Sequence, residues 1–172
     1  METKAFCFRA GSCWIGLGYT DKGLRRVYLS TVGPEEVEAS LVHSLGREIA
    51  FGKPEQGSLL ESLPAKLAQY FAGVRVQFDE PVDLRGMTDF QQQVLAATRE
   101  IPYGQTRSYS WVAQRVGNPR AFRAVGQALG RNPVAIVVPC HRVVTSQGAV
   151  GGFGWGVEMK KLLLSIESRA AM

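Results

Sequence analysis

The sequence predicts a mixed α+β fold in two parts, an N-terminal α/β domain and a C-terminal helical domain built around a helix-turn-helix. Strand-like segments separated by turns dominate the first part, and helix-capping signals dominate the second. Residues 1–84 carry a net charge of −2 (9 basic, 11 acidic), whereas residues 85–172 carry +7 (11 basic, 4 acidic). We therefore predict domains at residues 1–78 and 88–172, joined by a linker at 79–87.

The N-terminal part opens with three predicted strands, at residues 4–9, 13–19 and 24–30, because glycine-containing turns separate these segments. Pro34 begins a predicted helix that extends to residue 47. A second helix is predicted at about 59–71, and another strand at 74–78. No chemical motif is recognisable in this part of the chain.

The three cysteines, Cys7, Cys13 and Cys140, do not form a disulfide framework, and their odd number fits a reducing compartment. The set Cys7, Cys13 and His43 matches no common zinc spacing and lacks a fourth ligand, so we predict no metal site. No apolar run approaches membrane-spanning length, and the N-terminus lacks a signal-peptide pattern. We therefore expect a cytoplasmic protein that does not contact membranes.

Helix signals begin after the linker. Thr88 and Gln91 have the spacing of a capping box, which predicts a helix from there to about residue 101. Ser108 or Ser110 is expected to cap a short second helix that ends near residue 117. A third helix is predicted to start at Asn118-Pro119 and to end at about 130. Two short helices around a glycine-containing turn are typical of a helix-turn-helix.

Arginine is concentrated in this helical part. Seven arginines and a single acidic residue, Glu100, lie between Arg99 and Arg142. Arginine binds phosphate and base edges well, so the pattern favours a nucleic-acid partner over a merely solvated basic face. The third helix mixes Arg123 with the small residues Ala124 and Gly126. Small residues allow close approach to a groove, although they would serve helix–helix packing equally well.

One short segment carries the chemistry. Residues 134–138 are apolar and mostly β-branched, which predicts a buried strand that ends at Pro139. Cys140 then stands beside His141 and Arg142. A thiolate is a nucleophile, and neighbouring cations are expected to lower the pKa of its thiol, with His141 as base. The alternative is a buried structural cysteine.

The C-terminal stretch contains a predicted hairpin turn at residues 146–148, a glycine-rich loop at 151–156 and a helix at about 157–168. The loop lacks the Lys-Ser/Thr of a phosphate-binding loop and the dinucleotide spacing, so we reject nucleotide binding. A loop that shapes itself around a ligand fits better. Glu167 is expected to be a solvated carboxylate unless the fold brings it to His141.

The motif Pro139-Cys140-His141-Arg142-Val143-Val144 resembles the active-site motif of the O6-alkylguanine-DNA alkyltransferases. The resemblance covers residues 85–168 and, in outline only, the N-terminal part. It implies a ribonuclease-H-like N-terminal domain and a winged-helix-like C-terminal domain. It also implies irreversible transfer of an alkyl group from O6-alkylguanine, and from O4-alkylthymine, to Cys140, once per molecule.

The resemblance implies roles for individual residues. His141 would take the proton of the Cys140 thiol through a water, and Glu167 would orient His141. Tyr109 would donate a proton to the departing guanine. Asn132 would brace the turn before the active site, supported by Pro139 and Arg142. The alkyl pocket would be lined by Phe153, Gly154 and Trp155.

The implied partner is double-stranded DNA, bound through the minor groove by a monomer that needs no cofactor. Arg123 would enter the base stack and replace the extruded nucleotide. Further DNA contacts would come from Ser110, Asn118, Ala124, Gly126 and Ser146. Two departures stand out, namely Phe122, where many members have a small residue, and Trp155, where the loop is usually glycine. We expect Trp155 to narrow the pocket and exclude bulky adducts such as benzyl.

Three other functions fit parts of the pattern. A lesion-binding protein of the alkyltransferase-like type would lack the cysteine, so Cys140 argues against it. A winged-helix regulator would not need Cys140, His141 and Glu167. A cysteine hydrolase usually has its cysteine and histidine far apart in the sequence, and no oxyanion-hole loop is evident here.

Overall fold

The structure is a computed structural model that describes residues 2–170. The chain forms two compact units, one that ends at Leu84 and one that begins at Arg85. The first combines a sheet with two helices, and the second is mainly helical. The predicted mixed α+β fold is therefore confirmed.

A four-stranded sheet forms the centre of the first unit. Its strands are β1 (Lys4–Ala10), β2 (Cys13–Thr20), β3 (Gly23–Ser30) and β4 (Ala50–Phe51). The order is β3-β2-β1-β4, with β1, β2 and β3 antiparallel and β4 parallel to β1. The three predicted strands are confirmed. Strand β4 was not predicted, because two residues are too few to show an alternating pattern.

Helix α1 (Pro34–Leu45) packs on the sheet over two glycines of β2. A Cβ atom at Gly16 would lie 2.2 Å from Val37, and one at Gly18 would lie 2.3 Å from Leu45. The absence of these side chains lets the helix approach the strand, and Val37 and Leu41 are buried as a result. The prediction placed the end of this helix two residues too late, at residue 47.

Two predictions for the following segment are wrong. Helix α2 (Leu63–Phe71) begins at Leu63 rather than near residue 59, because residues 55–62 form turns closed by local backbone hydrogen bonds. Residues 74–78 form no strand, since no ladder partner pairs with them among the described residues. Val76 is nevertheless buried, and the ring centroid of Phe78 lies 5.9 Å from that of Tyr70, whereas Val74 is exposed.

Residues 80–83 pack against β3 rather than extending as a free linker. The amide of Leu24 donates to the carbonyl of Pro81 at 2.9 Å, and the amide of Asp83 donates to the carbonyl of Leu24 at 2.7 Å. The hydroxyl of Thr20 also donates to the buried carboxylate of Asp83 at 3.0 Å. The first unit therefore extends past the predicted boundary at residue 78.

Within residues 85–170, the second unit contains four α-helices and a minimal sheet. The helices are α3 (Asp89–Arg99), α4 (Tyr109–Arg115), α5 (Phe122–Gly130) and α6 (Val157–Ala170). Strand β5 (Arg107–Ser108) pairs in parallel with β6 (Val143–Val144). Across residues 2–170, no helix has the length and apolar character needed to cross a membrane.

The predicted helix starts are partly confirmed. Thr88 and Gln91 form the capping box of α3 through both of its hydrogen bonds. Ser108, rather than Ser110, caps α4 by accepting a hydrogen bond from the amide of Trp111 at 3.0 Å. The start predicted for α5 at Asn118-Pro119 is wrong, because the carbonyl of Asn118 closes a turn with the amide of Ala121 before the helix begins.

Candidate active site

The backbone before Cys140 is a buried turn, and the predicted strand at residues 134–138 is wrong. The amide of Val138 donates to the carbonyl of Val134 at 3.0 Å, and Ile136 has a φ of 73°. That left-handed conformation is rare for a β-branched residue and reverses the chain direction. The segment is apolar because the whole turn is buried, not because it belongs to a sheet.

Asn132 fixes this turn and contacts the thiol. Its Nδ2 donates to the carbonyl of Val138 at 3.0 Å and to Sγ of Cys140 at 3.1 Å, while its Oδ1 accepts from the amide of Val134 at 3.0 Å. One buried amide thus closes the turn from both ends and holds the sulfur. The bracing role expected of Asn132 requires contacts of this kind, and it stays a prediction.

Cys140, His141 and Arg142 form a short 3₁₀ turn whose three side chains are buried. Nε2 of His141 lies 2.6 Å from Oε1 of Glu167, so Glu167 is a buried partner and not a solvated carboxylate. Nε of Arg142 donates to Oε2 of the same carboxylate at 2.9 Å, and its Nη2 donates to Oε1 at 3.0 Å. Helix α6 thereby anchors the turn that carries the cysteine.

Two further backbone contacts complete this network. The amide of Gly104 donates to Oε2 of Glu167 at 3.0 Å, and Nη1 of Arg142 donates to the carbonyl of Ile101 at 2.7 Å. The Glu167 carboxylate therefore interacts with three residues from two separate segments of the unit, namely Gly104 and the adjacent pair His141 and Arg142. Such saturation is what a buried charge requires.

The electrostatics of this network fix its protonation. Burial alone would raise the pKa of Glu167, but hydrogen bonds and positive charge from His141 and Arg142 lower it to about 2. Burial lowers the pKa of His141 below its usual value despite the neighbouring carboxylate. At neutral pH the pair is therefore a carboxylate beside a neutral imidazole, which is able to accept a proton.

The Cys140 thiol is not activated in the way the sequence led us to expect. Burial raises its pKa to about 11, against the smaller opposing effects of the Asn132 hydrogen bond and the Lys160 charge. Arg142 is directed at Glu167 and Ile101 and does not lower the pKa of the thiol. The predicted lowering of this pKa by the adjacent Arg142 is therefore wrong, because burial outweighs the nearby charge.

Lys160 is the cation that faces this region. Its ammonium is buried, and it donates to the carbonyl of Val143 at 2.6 Å and to the carbonyl of Gly152 at 3.2 Å. Burial lowers the pKa of Lys160 to about 8. Lys160 thus links the glycine-rich loop to β6.

Tyr109 lies between this loop and α5. Nζ of Lys160 is 5.8 Å from the centroid of the Tyr109 ring. A Cβ atom at Gly151 would lie 2.9 Å from the Tyr109 hydroxyl, and one at Gly126 would lie 3.7 Å from the ring. Burial, followed by the charge of Cys140, raises the pKa of Tyr109, so its hydroxyl keeps its proton at neutral pH. The two glycines therefore make room for a protonated phenol.

The loop also carries the residues expected to line the alkyl pocket. Phe153 and Trp155 are half-buried, with ring centroids 5.6 Å apart and ring planes tilted by 50°. Gly154, between them, is exposed, and a Cβ atom at this position would lie 3.9 Å from the carbonyl oxygen of Gly130 at the end of α5. The predicted turn at residues 146–148 is present. The amide of Thr145 donates to the carbonyl of Ala149, and the amide of Gly148 donates to the carbonyl of Thr145, both at 2.9 Å. Among residues 2–170, no second strand forms a hairpin with β6.

Comparison with known proteins identifies the family. Residues 89–169 match the family described as 6-O-methylguanine DNA methyltransferase, DNA binding domain. The chain is 52% identical over 106 residues to a methylated-DNA–protein-cysteine methyltransferase of Mycobacterium tuberculosis. This match covers 62% of this chain and 64% of that relative. The protein of the same name from Mycobacterium leprae is 47% identical over 119 residues, or 69% of this chain and 71% of the relative. The chain belongs to the methylated-DNA–protein-cysteine methyltransferase family.

The structural likeness extends over both units of this family member. The crystal structure of Mycobacterium tuberculosis OGT in complex with DNA matches with a TM-score of 0.78 and 34% identity, and covers 97% of this chain and 94% of that one. The sequence match to the Mycobacterium tuberculosis relative, by contrast, spans about two thirds of either chain. The N-terminal unit therefore shares its fold with that structure although its sequence has diverged further.

The residues that the family resemblance assigns to DNA lie on or near α4, α5 and the turn after β6. Arg123, Ala124, Asn118 and Ser146 are exposed, whereas Ser110 and Gly126 are half-buried. The exposed positions are accessible to a large ligand. Their DNA contacts remain predictions.

Lys160 is the main feature of this site that the sequence did not indicate. It lies between Met159 and Lys161 in a helix of mixed polarity, and only the fold distinguishes the buried lysine from the exposed one. Tyr103 was also missed, and the guanidinium of Arg142 lies 5.6 Å from the centroid of its ring. Within the described part of the chain, no cluster of three or more His, Cys, Asp or Glu side chains could hold a metal ion.

Proposed function

We propose that this protein repairs alkylated DNA by moving an alkyl group from O6 of guanine, and from O4 of thymine, to Sγ of Cys140. The observation that carries the proposal is a single buried sulfur, held by Asn132 beside the His141–Glu167–Arg142 network. The names of the relatives support the same activity. The match spans 64% of the length of the Mycobacterium tuberculosis relative.

The proposed reaction is one displacement with two proton movements. His141 takes the thiol proton through a bridging water, and the thiolate attacks the alkyl carbon. The C–O bond breaks, its electron pair stays with guanine, and Tyr109 supplies the proton that neutralises the leaving base. The neutral imidazole of His141 and the protonated Tyr109 hydroxyl, as inferred from their pKa directions, are the forms that these roles require.

The thioether that forms on Cys140 cannot return its alkyl group, so each molecule acts once. No cofactor takes part in this reaction. The thiol pKa of about 11 means that thiolate is scarce in the free protein. We infer that deprotonation accompanies substrate binding, which delivers the electrophile and excludes bulk water from the site.

Double-stranded DNA is the proposed partner, bound by a monomer through the minor groove. The target base lies inside the duplex and has to be flipped out at a cost of a few kcal/mol. Arg123, exposed on α5, would fill the gap, and the basic charge of residues 85–172 favours phosphate binding. The Mycobacterium tuberculosis OGT structure contains DNA, which supports this partner.

The finer fold assignments belong to the same proposal. The sheet order β3-β2-β1-β4, with only β4 parallel to β1, supports a ribonuclease-H-like N-terminal unit. Helices α4 and α5 with the short β5–β6 ladder support a winged-helix-like C-terminal unit. Cytoplasmic localisation stays a prediction.

Intact-protein mass spectrometry after incubation with a duplex that contains O6-methylguanine tests the activity. We expect one added methyl group on the wild type and none on Cys140→Ser. Tight binding without a mass change would contradict alkyl transfer and favour a lesion-binding protein. If the wild type neither binds the duplex nor gains a methyl group, the proposal is wrong.

A further inference from the structure

Phe122 is a large apolar side chain that remains in solvent at the start of α5. It is 45% exposed, whereas Val125 and Leu129 on the same side of the helix are buried. Residues spaced by three and seven positions share one helix face, so Phe122 continues the buried stripe beyond the core. The folded unit leaves nearly half of the surface of Phe122 available for contact with a ligand.

The surface around Phe122 is basic. Residues 115–131 contain four arginines and no acidic residue. Arg120 and Arg123 flank Phe122 and are exposed. The guanidinium of Arg123 lies 5.9 Å from the centroid of the Phe122 ring, at cation–π distance. The ring and the guanidinium therefore form one exposed pair on a surface whose charge complements phosphate.

We propose that Phe122 is a DNA-binding residue that acts together with Arg123, an inference that rests on the proposed function. In the free protein the ring orients the Arg123 guanidinium. When Arg123 enters the duplex, the ring loses this cover and packs against the base step beside the extruded nucleotide. The occupant of this surface is duplex DNA with one base flipped out.

General features of DNA recognition support this role. Proteins that bind the minor groove insert apolar side chains between base steps and partly unstack them. Aromatic rings stack on any base, so the contact does not depend on sequence. Ala124 and Gly126 on the same helix let the backbone come close, whereas a ring at position 122 that did not insert would hold the helix away from the groove. Insertion and obstruction therefore predict opposite effects of removing the ring.

The experiment compares single-turnover methylation of Cys140, followed by intact mass, on three substrates. These are a duplex with O6-methylguanine, the same modified strand alone, and the free O6-methylguanine base. For Phe122→Ala we expect the rate constant on subsaturating duplex to fall about 10-fold, the size typical of a lost aromatic stacking contact. The rate with the free base should not change, and Phe122→Trp should retain duplex activity.

Phe51→Ala is the matched control, because Phe51 is 51% exposed and lies in the N-terminal unit. It should react with all three substrates at the wild-type rate. An unchanged or faster duplex reaction for Phe122→Ala would overturn the inference, and so would an equal loss on all three substrates. Failure of the wild type to methylate Cys140 on any substrate would overturn the proposed function itself, which separates the two claims.

Discussion

Nε2 of His141 lies 2.6 Å from Oε1 of Glu167, although 26 positions in the sequence separate the two residues. Both side chains are buried, and Arg142 donates to the same carboxylate. The position of the turn that carries Cys140 therefore depends on the C-terminal helix α6. Any change that removes the negative charge of Glu167 should affect both the stability of the unit and the reactivity of Cys140.

Glu167→Gln tests this dependence. The amide keeps the shape of the side chain but leaves the Arg142 guanidinium buried without its counter-charge, so we expect a loss of about 3–5 kcal/mol in the free energy of unfolding. The rate of methyl transfer should fall at least about 10-fold, because His141 loses the charge that stabilises its protonated form. Urea unfolding and single-turnover kinetics measure the two effects. Glu158→Gln, at an exposed position of α6, is the control, and equal behaviour of the two variants would contradict the prediction.

Acid should destabilise the wild type through the same carboxylate. The pKa of Glu167 is about 2 in the folded protein, against an ordinary value of 4.5, so its contribution is complete above pH 4.5 and is lost as the pH falls towards 2. The difference in unfolding free energy between wild type and Glu167→Gln should shrink over this pH range. A difference that stays constant from pH 6 to pH 3 would show that the carboxylate is not stabilised by folding.

Lys160→Met removes the charge of Lys160 but keeps a long side chain, so it separates the two contributions to the link between the glycine-rich loop and β6. Removal of the two hydrogen bonds to Val143 and Gly152 should lower the rate of methyl transfer about 10-fold, as the loss of charge-assisted bonds implies. Because folding lowers the pKa of Lys160 from 10.5 to about 8, the unfolded state binds more protons between these values. The stability of wild type relative to the variant should therefore rise by up to about 3 kcal/mol from pH 8 to 10.5. Lys161→Met, at the exposed neighbour, should show neither effect.

Gly151→Ala and Gly148→Ala form a matched pair in the segment after β6. Both glycines have positive φ, 74° and 80°, so either substitution should cost about 1 kcal/mol of stability. Only at Gly151 would the new Cβ meet the Tyr109 hydroxyl, at 2.9 Å, while no atom lies within 4 Å at Gly148. Gly151→Ala should therefore slow methyl transfer at least about 10-fold relative to Gly148→Ala. Equal rates would mean that the position of Tyr109 does not matter for transfer.

Trp155 should control the size of the alkyl group. Its ring packs beside Phe153 in the loop that we propose lines the alkyl pocket. We expect slow transfer from O6-benzylguanine relative to O6-methylguanine in the wild type, and a selective gain on the benzyl substrate in Trp155→Gly. Single-turnover rates on the two modified duplexes measure this ratio. Comparable wild-type rates on both substrates would show that Trp155 does not exclude the benzyl group.

Local signals predicted much of the fold. The capping box of Thr88 and Gln91 depends only on near neighbours, and so do the turns that separate the first three strands. The run at residues 134–138 was misassigned because a buried turn and a buried strand both require apolar residues. The left-handed backbone at Ile136 distinguishes the turn from a strand, and no local sequence pattern predicts this conformation. The two-residue strands β4, β5 and β6 are too short for any periodic pattern.

The site was predictable where the motif is contiguous and not where folding brings distant residues together. Cys140, His141 and Asn132 were identified from the sequence, and the structure brings them together. The burial of Lys160 and the direction of Arg142 towards Glu167 depend on how α6 packs, which no local pattern encodes. The shift in the pKa of Cys140 was predicted in the wrong direction, because a sequence shows which charged residues are adjacent but not how deeply the thiol is buried.

The burial and protonation of the Cys140 thiol also affect how long an unreacted molecule keeps its sulfur intact. A protein that reacts only once is permanently lost if its sulfur meets a stray oxidant or electrophile first. With a pKa of about 11 and 5% exposure, Cys140 offers such reagents little thiolate and little access. Under the proposed function, the burial that delays activation until a lesion arrives therefore also preserves the unreacted protein between encounters with damage.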